Sequence, residues 1–236
     1  MWRDFEYVPL AQKKENARKA LAKLKKMKPD ARPVMITGNK IAKTWWGNAW
    51  NNNLNAYADY ANRIGRGSAY VKNGFVIDLQ IETGKVTAIV VGSRSEPYHI
   101  KIIIKTLPET KWKKITDTCG HSIANIEQLV CGEFPAALAT LFTQKDAGLF
   151  PAPKEIEFSC SCPDWAGMCK HVAAALYGIG ARFDEDPMLF FKLRGIDVKA
   201  LIKKSIDAKM ENMLKNSAKK TKRVMRDADI SGLFGI

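Results

Sequence analysis

The stretch Phe158-Ser-Cys-Ser-Cys-Pro-Asp-Trp-Ala-Gly-Met-Cys-Lys-His171 carries four metal-ligating side chains within twelve residues. Cys160-x-Cys162 is followed, after six residues, by Cys169-x-His171. Three thiolates and an imidazole suit tetrahedral zinc, and Cys₃His is a recurrent closed structural set. A catalytic zinc keeps one coordination position open, whereas this set fills all four. A Cys-x-Cys disulfide is geometrically strained, and redox pairs more often read Cys-x-x-Cys. A zinc deaminase needs a Glu beside its His and a Cys-x-x-Cys, and neither occurs here. The chemistry expected is one structural zinc ion held by Cys160, Cys162, Cys169 and His171, in a protein that binds and does not catalyse.

That spacing constrains the elements around it. Lys154–Ser159 is strand-like, and two cysteines two apart at a strand end point to one side. Pro163 and Asp164 then turn the chain. In mid-helix, Cys169 and His171 would lie ~200° apart around the axis. The pair therefore requires a helix start, with Cys169 in the preceding turn and His171 in the first turn. Val172, Ala175, Leu176 and Ile179 form an apolar i, i+3, i+4, i+7 stripe immediately afterwards. Gly178 and Gly180 suggest where that helix ends.

The four ligand positions, with Pro163-Asp164-Trp165 between them and Val172-Ala-Ala-Ala after them, resemble a SWIM-type zinc finger. The longer run from Thr44-Trp45-Trp46-Gly47 to Gly178–Arg182 resembles bacterial SWIM-finger proteins that accompany a SWI/SNF-like helicase. The resemblance implies DNA binding or protein–protein contact.

The rest of the chain reads as α+β. A basic helix is expected over 11–28, with Ala17, Ala20, Leu21, Leu24 and Met27 on one face. Thr44 caps a second helix that runs through Tyr60 and presents Trp46 and Trp50 to the core; Trp45 lies off that stripe. Four antiparallel strands are expected at Ser68–Lys72, Phe75–Ile81, Val86–Val91 and Tyr98–Thr106. Asn73-Gly74 and Glu82-Thr83-Gly84 supply hairpin turns. Helical spacing follows near 108–119, 122–131 and 133–144. Cys119, His121 and Cys131 in that region read as small core residues, not a second metal site. The expected organisation is a basic N-terminal arm over 1–43, an α+β domain over 44–150 and the zinc finger over 151–196. A helix and a basic tail follow over 197–236.

The chain has 236 residues and a formal net charge of +14. That excess favours polyanion partners, DNA over RNA. The candidate contacts are Lys170 of the finger, Arg63 and Arg66 beside the sheet turns, and Lys219, Lys220, Lys222 and Arg223 of the tail. Lys72 and Arg94 would extend the basic rim. Contact spread in this way is sequence-tolerant. The alternative partner is protein alone, with a SWI/SNF-like helicase ATPase docked directly. Five cysteines, an odd number, and no apolar leader after Met1 point to a cytoplasmic protein without a disulfide framework. No stretch reaches the ~20 apolar residues of a membrane span. No phosphate-binding glycine loop and no nucleophile–base arrangement stand out, so no enzymatic activity is expected.

Overall fold

Apolar residues, alternating with polar ones from Ile77 to Glu82, build the sheet after Phe75. In the computed structural model, which describes residues 8–55, 61–113, 148–164 and 168–217, three strands follow in close succession. They are β1 (Val76–Glu82), β2 (Lys85–Val90) and β3 (Tyr98–Ile104). The fourth, β4 (Ile156–Cys160), arrives from the region of the cysteines and pairs antiparallel with β3. The order is β1-β2-β3-β4. Val86, Ala88 and Val90 of β2 and Tyr98, Ile100, Ile102 and Ile104 of β3 face the core.

The strand expected at Ser68–Lys72 is instead the end of a helix, α3 (Ala61–Lys72). Asn73-Gly74 does not turn a hairpin. Gly74, at φ +72°, ends α3. Its N–H donates to Val71 O and that of Phe75 to Tyr70 O, both at 3.1 Å, while the Tyr70 and Phe75 rings meet at 5.1 Å. This is a left-handed helix cap with its hydrophobic contact. Asn-Gly supplies positive φ equally well to a hairpin or to a helix end. Packing decided between them, because Ile64 and Val71 bury one side of α3.

The helix beginning at Lys170, here α4 (Lys170–Glu185), is the centre of the molecule. Residues His171–Phe183 are buried on every side. The sheet covers one flank, while α3 and α2 (Trp45–Asn55) cover the other. Thr44 caps α2 as expected, accepting from Gly47 N at 3.3 Å. Gly178 and Gly180 do not end α4. They lie within it because a side chain there would collide: a Cβ on Gly180 would stand 2.4 Å from Asn51 Oδ1 and 3.1 Å from Trp50 Cδ1. The indole of Trp50 donates to Leu176 O at 2.9 Å. Trp46 donates to Phe183 O at 3.0 Å, satisfying a carbonyl in the last turn of α4. The Asp184 carboxylate accepts from Lys43 N and from the Thr44 hydroxyl, tying the end of α4 to the start of α2.

The basic helix α1 (Leu10–Met27) lies beside β1. Ala17 is buried, whereas Ala20, Leu21 and Leu24 are partly covered and Met27 is exposed. The buried Asp78 accepts from Lys28 Nζ at 2.6 Å and from Arg32 N at 2.8 Å, fixing the segment after α1 to the sheet. After α4, the short α5 (Met188–Arg194) packs Phe190 and Phe191 into the core, and α6 (Val198–Ser217) follows. No helix among the described residues is long and apolar enough to cross a membrane. Most of the helical region expected over 108–144, including Cys119, His121 and Cys131, lies outside the described residues. So do Tyr60 and the tail cations Lys219, Lys220, Lys222 and Arg223.

Candidate metal centre

Cys160 is the last residue of β4, and Cys162 follows in the bend beyond it. Cys169 is the N-cap of α4, with extended φ/ψ of −89° and 166°. Its sulfur accepts from Val172 N at 3.4 Å, as an N-cap side chain does. His171 is the second residue of the helix. The expected placement of this pair at a helix start is therefore met, and the fold brings both halves of the motif together. The four ligand atoms lie within 4.8 Å of one another. His171 Nδ1 stands 3.8 Å from Cys169 Sγ and 4.0 Å from Cys160 Sγ. Zinc–ligand bonds of 2.0–2.3 Å place tetrahedral donors about 3.5–4 Å apart, so the cluster fits one zinc ion, with Nδ1 as the nitrogen ligand.

The bend that carries Cys162 is held from both sides. Ser161 N donates to His99 O at 3.0 Å, and His99 N donates to Ser161 Oγ at 3.0 Å. Arg63 Nη1 on α3 pairs with Asp164 at 2.7 Å. The imidazole of His171 packs between Tyr98, with ring centroids 4.3 Å apart, and Tyr70, at 5.5 Å. Burial pushes both phenols up. His171 Nε2 is buried and has no hydrogen-bond partner. With Nε2 enclosed among aromatic rings, only Nδ1 is aimed at the sulfurs.

Three neighbouring thiols do not ionise equally. Hydrogen bonding from Cys160, assisted by His171 and Val172 N, pushes the Cys169 thiol down to about 3. The same bond to Cys169, together with burial, drives Cys160 far up. Burial raises Cys162. Thiols held protonated by burial and by one another must give up protons to a metal ion, so metal binding here is coupled to proton release.

Comparison with known proteins agrees with this geometry. Residues 151–178 match the SWIM zinc finger family. The segment is a SWIM zinc finger. The chain is also similar to the uncharacterized protein Rv2102 of Mycobacterium tuberculosis, at 36% identity over 176 residues. That alignment covers 71% of this chain and 63% of the relative, so the chain spans less than two thirds of the relative's length. No solved structure matches the chain.

The candidate contact residues fall unevenly around the SWIM finger. Lys170 lies between the ligands Cys169 and His171, half-buried, its ammonium 5.7 Å over the ring of Tyr70. Burial pulls its pKa down, and the nearby Arg66 adds to this. Arg63 and Arg66 are on α3, not at sheet turns, because the strand expected there is helical. Arg63 is engaged with Asp164, whereas Arg66 is exposed. Sequence reasoning missed Tyr70 and Tyr98, which enclose the imidazole, and Asp164, which anchors the bend. Their only signal was proximity to the motif, in sequence for Asp164 and in space alone for the tyrosines.

Proposed function

We propose that this protein is a zinc-stabilised binding factor that engages nucleic acid, DNA over RNA, with little sequence preference and no catalytic step. Charge carries the reading: the chain has 38 Lys and Arg against 24 Asp and Glu. The SWIM finger supports it as a family associated with zinc binding and with nucleic-acid or protein interaction. The finger helix itself is a poor base reader. His171–Phe183 are buried, whereas major-groove readout needs polar side chains projecting from one exposed face. Contact is therefore with phosphates, and affinity falls steeply with salt. A cytoplasmic setting keeps the thiolates reduced. The test is a salt titration of affinity for two unrelated duplexes. Equal binding at about 1–100 μM near physiological salt is expected. No binding at low salt would exclude the reading, and strong preference for one duplex would exclude its sequence tolerance.

A second reading, docking of a SWI/SNF-like helicase ATPase, draws support from α6. Ile206, Met210, Met213 and Leu214 follow helical spacing and are 49%, 57%, 73% and 67% exposed. Co-purification of the two recombinant proteins, lost on Met210→Lys with Leu214→Lys, is the expected result for that partner.

A further inference from the structure

Three cations outside the metal-ligand set converge on the aromatic pair that holds His171. Arg66 and Tyr70 are four residues apart on α3 and so share a face. Lys170 places its ammonium 5.7 Å over the Tyr70 ring. From the other side, the loop between β2 and β3 brings Ser93 to the Tyr70 phenol, and the next residue, Arg94, acts on Tyr98. Arg66 and Arg94 are exposed. Among the described residues no ion pair engages Arg66, Arg94 or Lys170. Asp164, whose charge reaches Lys170, is paired with Arg63 at 2.7 Å. Zinc with three thiolates and a neutral imidazole carries a single net negative charge, which the three cations outweigh.

Like charges crowded around one carboxylate, Asp164, which is already paired with Arg63, oppose the compact state, and a bound anion relieves that repulsion. We infer that Arg66, Arg94 and Lys170, arranged around Tyr70 beside the zinc centre, form the phosphodiester-binding site for a nucleic-acid backbone. This rests on the nucleic-acid reading and assigns its contact surface. Arg63, paired with Asp164, takes a different part in this proposal. It is a positioning residue that holds the Cys162 bend through Asp164. The site also depends on the metal: Lys170 lies between two ligands, and His171 packs on both tyrosines. Losing zinc therefore disperses the cations as well as the finger.

The test uses the full zinc-loaded chain and a labelled duplex of about 20 base pairs, with affinity measured across salt concentrations. Each phosphate contact contributes about 0.9 to the slope of log affinity against log salt. The variant Arg66→Ala/Arg94→Ala/Lys170→Ala should bind at least about tenfold more weakly, with the slope reduced by about two to three. Its zinc content should be unchanged. Arg94→Glu alone, on an exposed loop, should weaken binding in the same direction and guards against misfolding of the triple variant. Arg63→Ala should lower zinc retention while leaving the slope of the zinc-loaded fraction unaltered. If the parent binds and the triple variant and Arg94→Glu both bind equally well with the same slope, this site is wrong while the nucleic-acid reading stands. If the parent fails to bind at low salt, both fall together.

Discussion

Cys160 stands directly across the β-ladder from Ile100. A zinc ligand and a buried residue of the sheet are thus partners in one strand pairing. Two residues further along that ladder, Phe158 pairs with Ile102. The metal centre sits at the end of the edge strand and caps the central helix.

Metal removal should therefore unsettle more than the finger. Structural zinc supplies binding free energy on the order of 10 kcal/mol, comparable to the whole stability of a domain. Freshly prepared, reduced protein should contain one zinc per chain. Chelation, or Cys169→Ser, should abolish amide protection in β4 and the first turns of α4, and then weaken it in β3. Hydrogen exchange resolves this by segment. Unchanged protection of β3 in the metal-free protein would contradict it.

Zinc binding should release protons at about pH 8, because burial and the neighbouring thiols hold Cys160 and Cys162 protonated in the metal-free protein. The sign follows from the directions of shift. Raised thiols retain protons that the metal must displace. Zinc affinity should accordingly weaken as pH falls. Calorimetry in buffers of different ionisation enthalpy counts the protons, and a count of zero would contradict the raised thiols.

Two glycines of α3 should respond oppositely to alanine. A Cβ on Gly67 would lie 2.4 Å from Ala173 Cβ and 2.7 Å from the Ala173 carbonyl carbon, where α3 crosses α4. Gly67→Ala should destabilise by about 1–3 kcal/mol through overpacking. Gly65 has nothing within 4 Å of its Cβ position, so Gly65→Ala should stabilise by about 0.5–1 kcal/mol through helix propensity. Urea denaturation of both variants measures the contrast, which vanishes if the helices do not cross there.

The tryptophans should separate in the same assay. Trp50 is fully buried and donates to Leu176 O, while Trp45 is 37% exposed. Trp50→Phe should cost at least about 1 kcal/mol, because a buried carbonyl contact and packing volume are lost. Trp45→Phe should stay within about 0.5 kcal/mol of the parent. Equal effects would mean that α2 is rotated relative to α4.

The zinc ligands were legible in the sequence because metal coordination constrains residue type and spacing locally. Cys169-x-His171 works only at a helix start, and Cys169 indeed caps α4. The hairpin at Thr83-Gly84, the cap at Thr44 and the burial of Trp46 and Trp50 were legible for the same reason. Each rests on a local turn preference or a helical period. Tertiary structure alone decided the rest. Asn73-Gly74 provides positive φ to a hairpin or to a helix end, and only the packing of Ile64, Gly67 and Val71 selected the helix. Gly178 and Gly180 read as a helix terminus, yet they are the gaps through which the sheet and α2 approach a central helix. The same holds for the fourth strand. Residues 156–160 carry no mark of their partner, and their pairing with β3, which joins zinc centre to sheet, is a long-range contact that local sequence does not encode.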